Sequence, residues 1–442
     1  MTMTSSASPP DAARSKQKDP LKKVVAAAAA GNALEWFDFS SYAFFAAYIS
    51  ANFFMQGDTG SGMIATFLVF AVGFIARPLG AIVLGSYRDT HGRKATLMLT
   101  VSLMAVGTFI IGFAPPIWAI GIGAPILLTI GRLFQGFSAG GEIGGATSYL
   151  VEKAPPERRA GLTGWLQGSM GIANAMSALL GVIITSAFPE EEIVAWAWRI
   201  PFFVGLLIVP VAIYIRKQLN ETEEFLQMKE DLGAKKQTPI RDLFRSYRKQ
   251  LLVAALMAIL WQVSVYALVI YSTVYYASDA AGLGFTSNEA FWASLAGNLV
   301  MIFACVYAGR LADRFGTRRT LRWTTWALIV VPVPALALLH AVPTLPMLIG
   351  IHIVLCVAVS GFAGIIPSAL ARAFPPEVRS TGTSFSYNIA AIFFAGFTPA
   401  LMTWAIGFTP LATGIYVALA GVVALITLPF FTRMVAKQES FD

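Results

Sequence analysis

Two carboxylates lie close together in the stretch GNALEWFDFSSY, residues 31–42, which otherwise suits a membrane helix. Glu35 and Asp38 are three residues apart, and Tyr42 follows Asp38 by four, so the three side chains share one helical face. A carboxylate at the centre of a bilayer costs at least about 2.5 kcal/mol. We therefore expect these acids to be paired with cations or to bind protons.

Partners for these acids lie in two other apolar segments. Arg77 is in one of them, and the segment GRLFQGFSAGGE places Arg132, Gln135 and Glu142 in one sector of a helix. The N-terminal half thus holds three acids and two arginines in an apolar setting, where charges need partners. Because two arginines neutralise two acids, the third is expected to bind a proton, as a proton-coupled carrier requires. Static pairs that fix helix packing are the alternative.

An exchange of partners would couple the proton to a substrate. The proton-coupling candidates are Glu35, Asp38, Glu142 and Arg132. Deprotonated Asp38 or Glu142 is predicted to hold Arg132, and protonation would release the arginine to bind a substrate carboxylate by bidentate hydrogen bonds.

The C-terminal half offers polar and aromatic groups in place of charges. Such groups can complete a hydrogen-bonded cage around an organic acid, although they also serve as packing or interfacial residues. The predicted substrate-binding residues of both halves are Tyr42, Arg77, Arg132, Gln135, Gln262, Tyr266, Tyr387 and Asn388.

The elements that position these residues are long apolar helices. The 442-residue chain is 56% hydrophobic and 13% charged, whereas soluble domains carry about 25% charged residues. Each run is close to or longer than the roughly 20 residues that cross a bilayer, and none shows the alternation of a strand. The predicted helices are 24–54, 62–86, 95–114, 123–151, 160–187, 199–216, 251–278, 288–309, 321–340, 345–373, 380–405 and 410–432.

The basic residues predict the orientation. Almost all Lys and Arg lie in the tails and in alternate loops, and the other loops carry acids such as Glu190. The exceptions are Arg77, Arg132 and Arg199. This positive-inside pattern predicts an inner-membrane protein with both termini in the cytoplasm. It also accounts for the net charge of +8 through contact with anionic lipid, so no nucleic-acid partner is expected.

The sequence repeats itself once. GSYRDTHGRKATL (85–97) resembles GRLADRFGTRRTL (309–321), and PPERRAG (155–161) resembles PPEVRSTG (375–382) at almost the same offset. We predict an all-α polytopic membrane protein with twelve transmembrane helices in two six-helix, pseudo-symmetric bundles at 24–216 and 250–433. A cytoplasmic linker at 217–249 joins them, with a disordered tail at 1–23 and a short tail at 434–442. Repeats of this kind place a substrate site between the halves.

The sequence resembles a known superfamily and, within it, one family. The loop pattern G-x-x-x-D-x-x-G-R-[RK], at Gly85, Asp89, Gly92, Arg93 and Lys94, resembles the major facilitator superfamily. Within it, the chain resembles the metabolite:proton symporter family over nearly its whole length. The segments that carry this resemblance are GNALEWFDF (31–39), ARPLGAIVLG (76–85), GRLFQGFSAGGE (131–142), WRIPFF (198–203) and SYNIAAIFFAGFTP (386–399).

The resemblance implies the major facilitator fold and proton-coupled uptake of a small metabolite; the family includes carriers of citrate, 2-oxoglutarate, shikimate and proline/betaine. It also implies that Asp89 and Arg93 latch the cytoplasmic gate. The second copy of the loop supplies Asp313 and Arg319 as matching gate residues, with Thr317 where an arginine is expected.

No sequence pattern for bond-making chemistry is present, such as a Walker loop, a nucleophile elbow or metal-ligand spacing. We expect a transporter that is not an enzyme, needs no cofactor and acts as a monomer on protons and a small molecule in a lipid bilayer. The favoured substrate is a di- or tricarboxylate. A zwitterion such as proline or betaine is the alternative, and a receptor or channel on the same fold is a third.

Overall fold

The computed structural model describes residues 21–54, 59–91, 93–140, 142–217 and 239–439. Within these ranges the regular elements are helical, with no strand. Most of the predicted N-terminal tail, most of the predicted linker and the last three residues of the C-terminal tail lie outside the described part of the chain.

Six long helical units form the N-terminal half of the described chain, and each coincides with one of the predicted helices. Two of them, α1 and α4, are each made of two segments. The units are α1 (Leu21–Phe44 and Ala46–Phe53), α2 (Thr59–His91), α3 (Arg93–Phe113), α4 (Gly123–Ala139 and Glu142–Lys153), α5 (Arg159–Ala187) and α6 (Ile200–Lys217).

Six more long units form the C-terminal half of the described chain and also coincide with predicted helices. They are α7 (Arg248–Val265, Tyr266–Ile270 and Ser272–Ala277), α8 (Ser287–Phe315), α9 (Thr317–Val330 and Pro332–Ala341), α10 (Leu345–Ala363 and Ile366–Arg372), α11 (Arg379–Ala391, Ile392–Gly396 and Thr398–Ala405) and α12 (Ala412–Glu439). The prediction of a twelve-helix bundle is confirmed.

Eight of the units are long and apolar enough to cross a membrane by length and composition alone: α2, α5 and α7 to α12. The other four, α1, α3, α4 and α6, belong to the N-terminal half. Among the described residues, the shorter apolar helices are Met98–Phe113 within α3 and Ala197–Pro210, which runs into α6.

Glycines allow the closest helix approaches. On α4, a Cβ at Gly136 would collide with the backbone carbonyl of Gly73 on α2. On α5, a Cβ at Gly168 would lie 2.8 Å from the carbonyl oxygen of Ile302 on α8. Small residues let membrane helices pack backbone against backbone. The first contact brings α2 and α4 together inside the N-terminal half, and the second joins the two halves.

Two wide turns interrupt the helices of the C-terminal half. Tyr266–Ile270 in α7 and Ile392–Gly396 in α11 are both π-helical. A π-helical turn inserts one extra residue into a helix and is frequent at functional sites. The sequence did not reveal either turn, because each lies in an uninterrupted apolar run.

Candidate functional site

Four charged side chains are buried together in the N-terminal half. Glu35 and Asp38 of α1 are each 4% exposed, Arg77 of α2 is 1% exposed, and Arg132 of α4 is fully buried. A buried charge is stable only when it is paired or hydrogen-bonded. The partners of these four groups therefore decide what the site can do.

Phe39, one residue after Asp38, places its ring against both guanidinium groups. The carbon at the centre of the Arg77 guanidinium lies 4.6 Å from the ring centroid, and that of Arg132 lies 4.5 Å from it. Phe74 and Phe70 add one further face to each arginine, at 4.3 Å and 4.7 Å. Aromatic faces attract cations, so rings carry part of the stabilisation that carboxylates would otherwise supply.

Glu35 forms an ion pair with Arg77. Their Oε1 and Nη2 atoms are 3.9 Å apart, which is longer than a charge-assisted hydrogen bond of about 2.7–2.9 Å. The contact is therefore a loose pair that can lengthen or shorten without breaking a strong bond.

Asp38 is connected to Arg132 through two neutral side chains. The Thr108 hydroxyl of α3 donates to Asp38 Oδ2 at 2.5 Å, and Gln135 Nε2 donates to Thr108 Oγ1 at 3.0 Å. Arg132 Nη1 in turn donates to Gln135 Oε1 at 2.7 Å. In each of the three bonds the donor is on the Arg132 side and the acceptor is on the Asp38 side. The bonds therefore form one chain, which we call the Asp38–Arg132 relay.

For Asp38, the relay takes the place of the direct contact with Arg132 that was one of two predicted arrangements; the other involves Glu142, whose side chain lies outside the described structure. Among the described residues no ion pair joins Asp38 to Arg132, because Thr108 and Gln135 occupy the space between them. Gln135 was among the residues predicted from the sequence, whereas Thr108 was not. In the sequence, Thr108 is a single hydroxyl in the apolar run LMAVGTFIIGF of α3, and nothing there distinguishes it from a packing residue.

Several guanidinium nitrogens have no acceptor among the described residues. They are Nε and Nη1 of Arg77 and Nε and Nη2 of Arg132. On Arg132, Nε and Nη2 form one edge of the planar group, which matches the two oxygens of a carboxylate. Opposite this edge lies Gly73, where a Cβ would come within 3.7 Å of both nitrogens.

Tyr42 contributes its ring to the site. The ring centroid lies 4.5 Å from the centre of the Arg132 guanidinium. The hydroxyl donates to the Thr66 carbonyl oxygen at 3.0 Å. The predicted role of Tyr42 as a hydrogen-bonding group for substrate therefore competes with this backbone bond.

Tyr266 and Tyr387 of the C-terminal half lie close to the arginines. The Tyr266 ring packs between Trp36 and Phe74 with centroid distances of 6.0 Å and 5.5 Å. Tyr387 lies beside the Arg77 guanidinium. Both side chains are buried, and within the described chain neither hydroxyl has a hydrogen bond of normal geometry. The structure thus brings together six of the eight predicted substrate residues, Tyr42, Arg77, Arg132, Gln135, Tyr266 and Tyr387. Four of them, Arg77, Arg132, Tyr266 and Tyr387, carry polar atoms with no hydrogen-bond partner among the described residues.

Gln262 and Asn388 are engaged with backbone groups. Gln262 Nε2 donates to the Tyr387 carbonyl oxygen at 3.4 Å. Asn388 Nδ2 donates to the Gly140 carbonyl oxygen at 3.1 Å and so ties α11 to α4. These two predicted substrate residues position helices in this conformation.

Two of the predicted gate residues, Asp313 and Arg319, lie at one end of the bundle. This end, which we call the basic end, is formed by the turns between Lys153 and Arg159, between Phe315 and Thr317, and between Arg372 and Arg379. Asp313 accepts hydrogen bonds from the backbone N–H groups of Ala160 at 3.0 Å and Gly161 at 2.8 Å. It therefore caps the first turn of α5 across the boundary between the halves.

Arg319 is exposed near this turn, where it lines a surface cavity with Arg318 and Arg322. Within the described residues no ion pair joins Arg319 to Asp313. Arg372 instead reaches this loop and donates to Thr317 Oγ1 at 3.1 Å. The side chains of three predicted residues, Asp89, Arg93 and Glu142, lie outside the described part of the structure.

The two halves touch along the whole depth of the bundle. At the basic end Arg379 pairs with Glu152 at 3.5 Å. Halfway along, Asn174 Nδ2 donates to Asn298 Oδ1 at 2.9 Å. At the opposite end Asn288 Nδ2 donates to Thr185 Oγ1 at 2.8 Å. Polar contacts therefore join the two halves at both ends of the bundle and in the middle.

Comparisons with known proteins agree with this architecture. A family model described as Major Facilitator Superfamily matches residues 30–395. A citrate-proton symporter of Klebsiella pneumoniae is 35% identical over 408 residues, covering 91% of this chain and 90% of that protein. A proline/betaine transporter of Escherichia coli (strain K12) is 32% identical over 417 residues, covering 92% of this chain and 82% of that protein.

Among solved structures, the chain is similar to the proton:xylose symporter XylE bound to 6-bromo-6-deoxy-D-glucose. The TM-score is 0.75 at 13% identity, and the match covers 94% of this chain and 96% of the other. At this level of identity the similarity concerns the fold alone.

Proposed function

Because the chain belongs to the Major Facilitator Superfamily, we propose that it is a proton-coupled secondary symporter that imports a small organic acid by alternating access. The protein would lie in the inner membrane with the basic end and both termini in the cytoplasm. Substrate would bind between the halves, as in other transporters built from repeats.

One observation carries this proposal: the guanidinium nitrogens of Arg77 and Arg132 that have no acceptor among the described residues. A buried donor without an acceptor costs roughly 1–3 kcal/mol, and more when it is charged. A substrate carboxylate would satisfy the Nε–Nη2 edge of Arg132 in bidentate geometry. The hydroxyls of Tyr266 and Tyr387 would supply further donors from the other half.

Charge balance links the proton to the substrate. With Glu35 and Asp38 ionised, the formal charges of the four described groups cancel. Protonation of Asp38 leaves one net positive charge in a buried site, and an organic anion would neutralise it. Couplings between two ligands of this kind are typically 1–3 kcal/mol, so substrate affinity should rise by about 5- to 150-fold when Asp38 binds its proton.

The Asp38–Arg132 relay would transmit this change. While Asp38 is charged, Thr108 donates to it and holds the Gln135 amide and Arg132 in line. When Asp38 is protonated, its own O–H can donate to Thr108, and the Thr108 hydroxyl can donate to the Met104 carbonyl oxygen, 3.0 Å away. This reversal weakens the bonds that hold Gln135 and Nη1 of Arg132 in place, so the guanidinium group can move to bring its Nε–Nη2 edge to the substrate.

A zwitterion with a cationic group is the second candidate. The rings of Trp36, Phe70 and Phe74 surround Tyr266 at centroid distances of 5.5–6.2 Å. Aromatic cages bind quaternary ammonium groups such as that of betaine, and relatives of both substrate classes cover most of this chain.

Uptake by proteoliposomes that contain a lumenal pH dye tests both candidates. Citrate, 2-oxoglutarate, shikimate and betaine would be added one at a time outside. Lumenal acidification with an organic acid supports the proposal. Acidification with betaine alone selects the zwitterion, and solute uptake without acidification rules out proton symport. Liposomes without protein control for passive entry of the neutral acids.

A further inference from the structure

We propose that the proton of Asp38 exchanges with the cytoplasm through a small cavity inside the N-terminal half, separate from the path of the substrate. The cavity lies between α1, α3, α4 and α6. Its walls include Glu35, Asp38, Thr100, Met104, Gly205 and Ile208. The inference rests on the proposed function, because it gives the transported proton a route of its own.

The size of the cavity suits water and excludes an organic acid. It offers about 30 Å³ of room for water-sized spheres, and one buried water needs roughly 10–15 Å³ of such room. Sites for small organic ligands are typically about 300–1,000 Å³. One or two waters can therefore enter, whereas a di- or tricarboxylate cannot.

The carboxylate of Asp38 reaches both the relay and this cavity. Its Oδ2 accepts from Thr108, at the start of the relay. Its Oδ1 faces α6, where a Cβ at Gly205 would lie only 2.8 Å away. Because position 205 is glycine, α6 can approach closely without covering this oxygen. Asp38 thus stands between the chain that leads to Arg132 and the space that admits water.

The cavity extends from Asp38 toward the basic end, along the helices that line it. Val25, near the start of α1, packs against Leu150 near the end of α4, which fixes the start of α1 at that end. From Asp38 the walls run backward along α1 to Gly31 and from Gly205 forward along α6 to Val209. At 1.5 Å per helical residue, the α1 side spans about 10 Å.

Polar groups line the cavity from Asp38 toward the basic end. Glu35 lies one helical turn from Asp38 and lines the same cavity. Further along, the Ser138 hydroxyl donates to the Thr100 carbonyl oxygen at 2.7 Å, and both residues are part of the wall. A water between the two carboxylates would have the two or more polar partners that buried water requires. Glu35 would then be the next proton carrier after Asp38.

Three other charged groups lie around Asp38, and each belongs to a different helix. Glu35 is on its own helix, Arg132 of α4 acts through Gln135 and Thr108, and Arg77 of α2 acts through its pair with Glu35. The described cavity walls on α3 and α6 carry no charged side chain. Filling the cavity from α6 should therefore change proton access and leave the charges of the site unchanged.

Two neighbouring residues of α6 offer a matched test. Ile208 lines the cavity, whereas Leu207 is 75% exposed on the outer surface of the helix. Ile208→Phe fills the cavity, and Leu207→Phe makes a similar change outside it. Val101→Phe, from α3, fills the same cavity from another wall. Each variant is reconstituted only if it elutes from a sizing column as the wild type does.

Two rates are measured on the same proteoliposomes: uptake driven by a pH gradient, and counterflow exchange of labelled substrate at equal pH on both sides. Exchange requires substrate binding and alternating access without net proton release. We expect Ile208→Phe and Val101→Phe to slow gradient-driven uptake by at least about tenfold. Exchange in these two variants should stay within about twofold of wild type. Leu207→Phe should change neither rate.

Wild-type gradient-driven uptake in both filled variants would overturn the inference. Loss of uptake and exchange together in both would also overturn it, since the cavity would then serve helix packing rather than the proton. The wild-type protein is measured first. If it acidifies the lumen with none of the four solutes, the proposed function fails, and this outcome is distinct from either result with the variants.

Discussion

Thr108→Val would break the Asp38–Arg132 relay at one atom. Valine keeps the shape of threonine and removes the hydroxyl that donates to Asp38 Oδ2 and accepts from Gln135 Nε2. Hydrogen bonds to a charged group contribute about 1.5–3 kcal/mol. The charged form of Asp38 loses this stabilisation, whereas the protonated form loses much less.

The sign and size of the effect follow from that difference. One pH unit corresponds to about 1.36 kcal/mol between two protonation states. Asp38 in the variant should therefore keep its proton to a pH about 1–2 units higher than in wild type. The midpoint of uptake against external pH should rise by the same amount. The maximal rate should fall, because the proton leaves the carrier less readily inside.

The assay is the initial rate of labelled substrate uptake at a series of external pH values and constant internal pH. Thr325→Val is the matched control. Thr325 is fully buried on α9, and its hydroxyl donates to the Leu321 carbonyl of its own helix at 2.7 Å. An unchanged midpoint in Thr108→Val, a midpoint that falls, or an equal shift in Thr325→Val would refute the role of the relay.

Three further variants test other parts of the site. Asp38→Asn should abolish accumulation driven by a pH gradient and preserve counterflow exchange; wild-type accumulation would show that Asp38 is not the coupling group. Arg132→Lys keeps the charge but loses the planar edge formed by Nε and Nη2. The KM for an organic acid should therefore rise by about 10- to 150-fold. An unchanged KM would place the substrate carboxylate elsewhere. Asp313→Asn weakens the cap on α5, and amide hydrogen exchange at Ala160 and Gly161 should accelerate by about 2- to 30-fold; unchanged protection would mean that the carboxylate charge adds nothing to this contact.

Hydropathy was sufficient to predict the helices of this chain. Each predicted span coincides with a helical unit, because a bilayer demands about 20 apolar residues per crossing whatever the neighbouring helices do. The interruptions were not predictable in the same way. The π-helical turn at Tyr266–Ile270 lies in a run whose residues also suit an ordinary α-helix. Its wider turn depends on what packs around α7.

The composition of the candidate site was also predictable. Charges in apolar segments are costly, so Glu35, Asp38, Arg77 and Arg132 had to be near one another to be tolerated. Their pairing was not predictable. Among the described side chains, Arg77 pairs with a carboxylate directly and Arg132 does not. The aromatic ring of Phe39 packs against both arginines. These choices depend on the rotation of each helix about its axis, and a rotation of a few tens of degrees would change every partner.

The sequence by itself determined that this is a polytopic helical protein of a transporter family, with buried charges in one half and a repeated basic loop. The tertiary structure decided which atoms meet. Thr108 enters the relay because α3 presents that hydroxyl between Asp38 and Gln135, and Asp313 meets the backbone N–H groups of Ala160 and Gly161, which every non-proline residue carries. Hydrophobicity is a property of each residue and can be read along the chain, whereas a hydrogen bond depends on the positions of two atoms that only packing brings within 3 Å.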